Sequence, residues 1–358
     1  MRYQHVCLES IGYLLPEEIW TTGDVEEKLK PLYDRLKLPE GRLELMTGIS
    51  ERRFWARGIL PGQLSVESCK LAIEASDLDV NNIGCLIHGS VCRDFLEPAT
   101  ACSVHHKVGL PADCMIFDVS NACLGILSGM IQAANMIELG QIKAALVVGS
   151  EGGRQLVETT IRTLNEDQSL TRKSIKNAIA SLTIGSASCA VLLTHESVSR
   201  SKNRIVAAAV QANTEHHELC QSHEDQVGDS MAPLMETDSE ALMKAGVATG
   251  VATLLPFLSE AGWKVEDLDR TVCHQVGTAH QKLMLESLSI DPAIDYATFS
   301  WLGNTGSAAL PSALAVACEK EFIQPSQKVG LLGIGSGINC TMMGIEWNES
   351  RIACKTMF

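Results

Sequence analysis

Cys123 stands in Asn121-Ala122-Cys123-Leu124-Gly125, where the short apolar run Met115-Ile116-Phe117 gives way to a segment of helical period. Beyond it Leu124, Leu127, Ile131, Ala134 and Ile137 recur at helical spacing. The small residues Ala122, Gly125, Ser128 and Gly129 would let that helix pack closely. Cys123 is therefore expected to open a buried helix, whose unpaired N–H groups and dipole favour thiolate over thiol and so a nucleophile. Free cysteine is also among the most buried residue types, so a structural core cysteine is the competing reading. Two further segments carry chemistry. Cys273-His274-Gln275-Val276-Gly277 follows an apolar run, and Gly303-Asn304-Thr305-Gly306-Ser307 leads into a small-residue helix containing Pro311. Alone, His274 or Asn304 reads as a cap or a satisfied polar group. Together with Cys123 they supply a nucleophile, an imidazole base or donor, and an amide donor. That set suits thioester chemistry, in which an acyl group moves to a thiolate and a developing enolate needs fixed donors.

The elements that must position these residues alternate. Ile83–Gly89 and Ala144–Gly149 read as buried strands, and Ser65–Ala75 and Leu124–Leu139 as helices. The second half repeats the plan, with helix Gly246–Ala261, strand Arg270–His274, helix Ala308–Lys320 and strand Val329–Gly333. Ser181–Leu193 and Leu331–Cys340 read as matching closing strands, which divides the chain into similar α/β halves over 1–200 and 201–358. Thr214 to Ser239 reads as a polar surface excursion. Its Met231 and Met235, and Met243 beyond, either line an adaptable apolar cavity or pack in the core.

A chain of 358 residues, 46% hydrophobic, exceeds the usual single compact unit. Its formal charge of -14 argues against nucleic acid and anionic membrane as partners, since both require a basic face. Thirteen cysteines without paired C-x-x-C motifs, behind a start at Met1-Arg2-Tyr3-Gln4 with no leader pattern, fit a reducing cytoplasm. No apolar run reads as long enough to span a bilayer. Cys102, His105, His106 and Cys114 match no zinc spacing, and no metal is expected.

Asn121-Ala122-Cys123-Leu124-Gly125, His274-Gln275 and Gly303-Asn304-Thr305-Gly306-Ser307, in this order, resemble the Cys-His-Asn motifs of the thiolase superfamily, and its ketoacyl synthase III branch most closely. Thr47-Gly48-Ile49-Ser50-Glu51-Arg52-Arg53 and Gly333-Ile334-Gly335-Ser336-Gly337 extend the resemblance over essentially the whole chain. It implies a five-layered α-β-α-β-α fold of two similar halves, and a homodimer. A thiolase proper would need a second catalytic cysteine in the last glycine loop, where this chain has Ile338 after Gly337.

Departures from ketoacyl synthase III narrow the reading. Arg42 and Met46 replace the Trp and Arg that help hold the nucleotide of coenzyme A, and Val276-Gly277-Thr278-Ala279 lacks the Arg implicated in docking acyl carrier protein. In Arg93-Asp94-Phe95-Leu96-Glu97-Pro98-Ala99, Glu97 stands where the family has an apolar residue that crosses the dimer interface. One reading makes it a helix-start acid beside Pro98. The other makes it a general base, raised in pKa by an apolar pocket, as in the OleA-type acyl-CoA condensing enzymes.

The expected activity is thus a non-decarboxylative condensation of two fatty acyl-coenzyme A molecules by a cytoplasmic homodimer. Cys123 would be the acyl acceptor, Glu97 of the neighbouring subunit the base, and His274 with Asn304 the enolate donors. N–H groups at Cys123 and in Gly335-Ser336-Gly337 would form the oxyanion site. No metal, nicotinamide or flavin is implied. The alternatives are a ketoacyl synthase III acting on malonyl-carrier protein, and a non-catalytic thiolase-fold partner subunit.

Overall fold

The computed structural model describes residues 1–222 and 235–357. Ten strands form one mixed sheet: β1 Val6–Pro16, β2 Ile83–His88, β3 Met115–Asp118, β4 Ala144–Glu151, β5 Ala187–His195, β6 Asn203–Ala212, β7 Arg270–Cys273, β8 Lys328–Gly335, β9 Asn339–Glu346 and β10 Ile352–Met357. The order is β7-β8-β9-β6-β1-β5-β4-β2-β3, with β10 parallel to β1. Only two residue pairs, Cys7 with Arg204 and Leu8 with Asn203, join β1 to β6, so the sheet folds into two half-sheets about that seam. Several strands are buried along both faces, and they are the ones whose sequences are continuous apolar runs rather than alternating ones.

Six helices cover these faces: α1 Pro61–Ser76, α2 Thr100–Val108, α3 Gly125–Glu138, α4 Ser239–Ala261, α5 Thr278–Leu288 and α6 Ala309–Glu319. The pleat divides the strand side chains between two cores. On β5, Cys189, Val191 and Leu193 face α3 and α6, while Ala190 and Leu192 face α1 and α2. On β9, Met343 and Ile345 face the same inner helices, while Cys340 and Met342 face α4 and α5. The layers therefore run α1/α2, half-sheet, α3/α6, half-sheet, α4/α5, which is the five-layered α/β arrangement of the thiolase fold. The inner helices are buried nearly all round and built of small residues, because each lies between two sheets. A Cβ on Gly125 would stand 2.4 Å from the Gly89 carbonyl oxygen.

The closing strands are shorter than the sequence suggests. Ser181–Thr183 belongs to a 3-10 turn, and β5 begins only at Ala187. Leu331–Cys340 is not one strand but both arms of a hairpin, because Gly335-Ser336-Gly337 turns back so that Asn339 pairs with Gly335. The reading that no apolar run is long enough for a bilayer is also corrected. At 23 residues α4 is long and apolar enough by length and composition, and half of that apolar stretch is buried, packed on β6 and β9. Thr214–Leu219 and the short paired strands Cys220–Ser222 and Met235–Thr237 lie before α4, whose first turn is capped by Asp238.

Because the Gly89–Gly125 approach is backbone on backbone, neither side can move aside for a methyl group. Gly125→Ala should lower stability by about 1–3 kcal/mol, the usual cost of overpacking, and should also slow acylation of Cys123 by displacing the turn beside it. Urea unfolding and mass spectrometry of the modified protein measure the two effects.

Candidate active site

Cys123 lies in a 3-10 turn, Ala122–Leu124, between β3 and α3. Ala122 takes a left-handed conformation at φ 46°, which costs a residue with a Cβ about 1 kcal/mol or more. Side chains hold the turn in place. The Asn121 amide donates to Ser128 Oγ at 2.8 Å and accepts from Asn339 Nδ2 at 3.0 Å. Asn339 thereby ties the glycine loop to the cysteine turn, and a Cβ on Gly335 would be only 3.7 Å from the Cys123 nitrogen. Cys123 as a residue is half-buried, and burial of its thiol, then the Glu151 carboxylate and the Cys220 thiol, push its pKa up to about 12. The expectation of a helix-stabilised thiolate is corrected accordingly: Cys123 precedes the helix start and rests as a neutral thiol.

His274 follows β7 directly, its N–H bonded to the Leu332 carbonyl of β8 at 3.0 Å. Gln275 secures that strand end by donating to the Cys273 carbonyl and accepting from the N–H groups of Thr298 and Phe299. The imidazole is buried, and burial, then neighbouring His280, lower its pKa to about 3. His274 is therefore a neutral base and donor. Asn304 is clamped on both sides, its N–H to the Thr183 carbonyl and its C=O to the Gly185 N–H, each at 2.9 Å. Its Oδ1 accepts from the Gly306 N–H at 3.0 Å, which leaves the NH2 end to donate. Gly306–Ala308 forms the 3-10 turn before α6, as Ala122–Leu124 does before α3, and the two turns touch.

Cys123, His274 and Asn304 line one cavity of about 530 Å³, together with Met235, Met243, Gly335 and Ser336. Gly337 is not among its lining residues, and Met231 lies outside the described residues. Three side chains in its wall carried no sequence signal. Cys220 faces Cys123 from a short strand, His280 stands in the first turn of α5, and Glu151 ends β4 beneath the cysteine. The Glu151 carboxylate is buried and accepts from the N–H groups of Val91, Cys92 and Ser307 and from Ser307 Oγ. With four donors on it, Glu151 is a fastening point rather than a free base.

Glu97 does not line this cavity. It is exposed on the loop that begins at Val91 and Cys92, beside the exposed Phe95 and Leu96, and among the described residues it has no hydrogen bond or ion pair. The helix-start reading is overturned. The first N–H groups of α2, at Thr100 and Ala101, are capped by Asp118 at 2.8 and 2.9 Å, and the helix begins beyond Pro98.

The family described as 3-oxoacyl-[acyl-carrier-protein] synthase III matches residues 117–214, its C-terminal region matches 258–347, and the thiolase N-terminal domain matches 45–152. An acyl-CoA:acyl-CoA alkyltransferase of Shewanella oneidensis is 39% identical over 351 residues, 97% of this chain and 100% of that protein. One from Xanthomonas campestris is 32% identical over 347 residues, again 97% and 100%. Among solved structures, a glutamate-to-glutamine variant of Xanthomonas campestris OleA superposes with a TM-score of 0.91 at 32% identity, covering 97% of this chain and 98% of that one. A cysteine-to-serine variant of the same protein, with bound lauric acid and lauroyl-CoA, gives 0.90 at 32% identity, covering 96% and 100%. The glutamate and cysteine substituted in those structures are separated by the same interval as Glu97 and Cys123.

A thiol pushed up to about 12 carries a thiolate fraction that grows with pH throughout the accessible range. Alkylation of Cys123 by iodoacetamide should therefore accelerate about tenfold per pH unit between pH 7 and 9, read by peptide mass spectrometry. A plateau near pH 7 would mean that the helix end governs the thiol after all.

Proposed function

This chain belongs to the acyl-CoA:acyl-CoA alkyltransferases, and we propose that it joins two fatty acyl-coenzyme A molecules in a Claisen condensation without loss of carbon dioxide. The observation that carries this reading is the convergence of a thiol, an imidazole and an amide donor in one largely apolar cavity. Cys123 Sγ attacks the first thioester carbonyl as His274 takes the thiol proton. Coenzyme A leaves with that proton. A neutral thiol beside a neutral imidazole suits this step, because the proton moves only as the bond forms. N–H groups at Cys123 and in the Gly335-Ser336 turn would hold the oxyanion.

Glu97 of a second copy then removes the α-proton of the second acyl-coenzyme A, and the enolate oxygen is held by His274 and Asn304. The α-carbon attacks the Cys123 thioester and expels the thiolate, which regains a proton. Water cleaves the remaining coenzyme A thioester and leaves a 2-alkyl-3-oxoacid. A homodimer is supported by the position of Glu97, solvent-facing and without a hydrogen bond or ion pair among the described residues. Phe95 and Leu96 flank it, and β3, with exposed Met115, is an open edge of the sheet. Open edges and exposed apolar side chains are features that a second copy would cover. Carrier-protein docking is not part of this reading, and no metal or redox cofactor is assigned a role. The thirteen cysteines form no disulfide, which suits a reducing compartment, and we assign the enzyme to the cytoplasm.

Incubation with a long-chain acyl-coenzyme A alone should yield the 2-alkyl-3-oxoacid by mass spectrometry, and a strict need for a malonyl donor would instead establish the ketoacyl synthase III reaction. Asn304→Ala should depress condensation more than acylation, by roughly 10²- to 10³-fold for a lost oxyanion donor, whereas His274→Ala, which also removes the base for the thiol proton, should depress both steps. Glu97→Ala should still acylate Cys123 but lose condensation by roughly 10²- to 10⁴-fold. Pairing Cys123→Ala with Glu97→Ala subunits restores one complete site per mixed dimer if the base acts across the interface. No recovery in that dimer would rule this arrangement out.

A further inference from the structure

The imidazole of His280 has no assigned task. It is 8% exposed, lines the cavity from the first turn of α5, and makes no hydrogen bond among the described residues. Its Nδ1 is fully buried, and its Nε2, equally without a hydrogen bond among the described residues, is the ring nitrogen that keeps accessible surface. Buried polar atoms are nearly always paired, so a ring left bare in an apolar wall points to a partner that arrives with the ligand.

His274 is not that partner. The two rings meet edge to face, with centroids 6.0 Å apart and planes at 88°, an arrangement that carries no N–H···N bond. His280 lines the same cavity as His274 and Cys123 and follows the exposed Ala279, which also lines it. The acyl thioester read above has a polar group at a fitting distance. From the thioester carbonyl carbon through sulfur and two methylenes to the first pantetheine amide nitrogen is four single bonds, roughly 5–6 Å end to end. With the thioester carbonyl at His274, that amide is within reach of the second imidazole, whose ring centroid is 6.0 Å from the first. The accessible Nε2 of a neutral imidazole donates or accepts according to its tautomer, and a secondary amide can answer either, whereas a thioester oxygen can only accept.

We propose that His280 is a substrate-contacting residue that hydrogen-bonds the first amide of the pantetheine arm and so selects thioesters that carry it. This rests on the acyl-coenzyme A reading of the cavity. The test compares acylation of Cys123 by dodecanoyl-coenzyme A, the dodecanoyl N-acetylcysteamine thioester, which keeps the amide, and the dodecanoyl S-pentyl thioester, which replaces it with methylenes. In His280→Phe the preference for the N-acetylcysteamine over the S-pentyl thioester should fall about tenfold, through KM rather than the maximal rate. His280→Asn, which keeps a donor and an acceptor, should recover part of it. Iodoacetamide reaction at Cys123 reports that each variant retains its folded cavity. An equal loss with all three thioesters, or an unchanged preference in both variants, overturns the proposal while leaving the underlying reading intact. Failure of the unsubstituted enzyme to be acylated by any of the three overturns both.

Discussion

A single buried carboxylate fastens the parts of this site to one another. Glu151 ends β4 beside Cys123, takes the N–H groups of Val91 and Cys92 at the root of the Glu97 loop, and takes both donors of Ser307 in the turn that follows Asn304. Desolvating a carboxylate is expensive, and four well-placed donors offset that cost only while all three segments stay in register. A shift of any one would leave a charge or several N–H groups unsatisfied. Both halves of the chain are thereby locked at the point where the chemistry is proposed.

The packing of the inner layer makes that convergence possible. Two helices fit between two half-sheets only because their faces are built of glycine, alanine and serine, which bring backbone against backbone at Gly89 and Gly125. Each helix is entered through a 3-10 turn at the same end, so the turns carrying Cys123 and Asn304 meet. The duplicated plan is thus what brings side chains from distant parts of the chain to one cavity.

Burial in that cavity sets the protonation states. It raises the Cys123 thiol and lowers His274 and His280, so the resting site is uncharged apart from the fastened Glu151. An apolar acyl chain enters such a site without displacing tightly held solvent, and the charge that develops during reaction meets donors already in place.

The sequence by itself determined the α/β alternation, the repeated plan and the residues Cys123, His274 and Asn304, because strand and helix periodicity and short glycine-flanked motifs are local properties of the chain. It also marked Glu97 as anomalous, a carboxylate where the resembling family has an apolar residue. Only the tertiary structure decided that Asp118, not Glu97, caps α2, since the capping carboxylate comes from the end of a neighbouring strand. It likewise decided that the thiol is raised rather than lowered, because desolvation depends on what surrounds a group and not on its place in a helix. Glu151, Cys220 and His280 had no motif to announce them. Their importance comes from distances across the fold, which no pattern along the chain encodes.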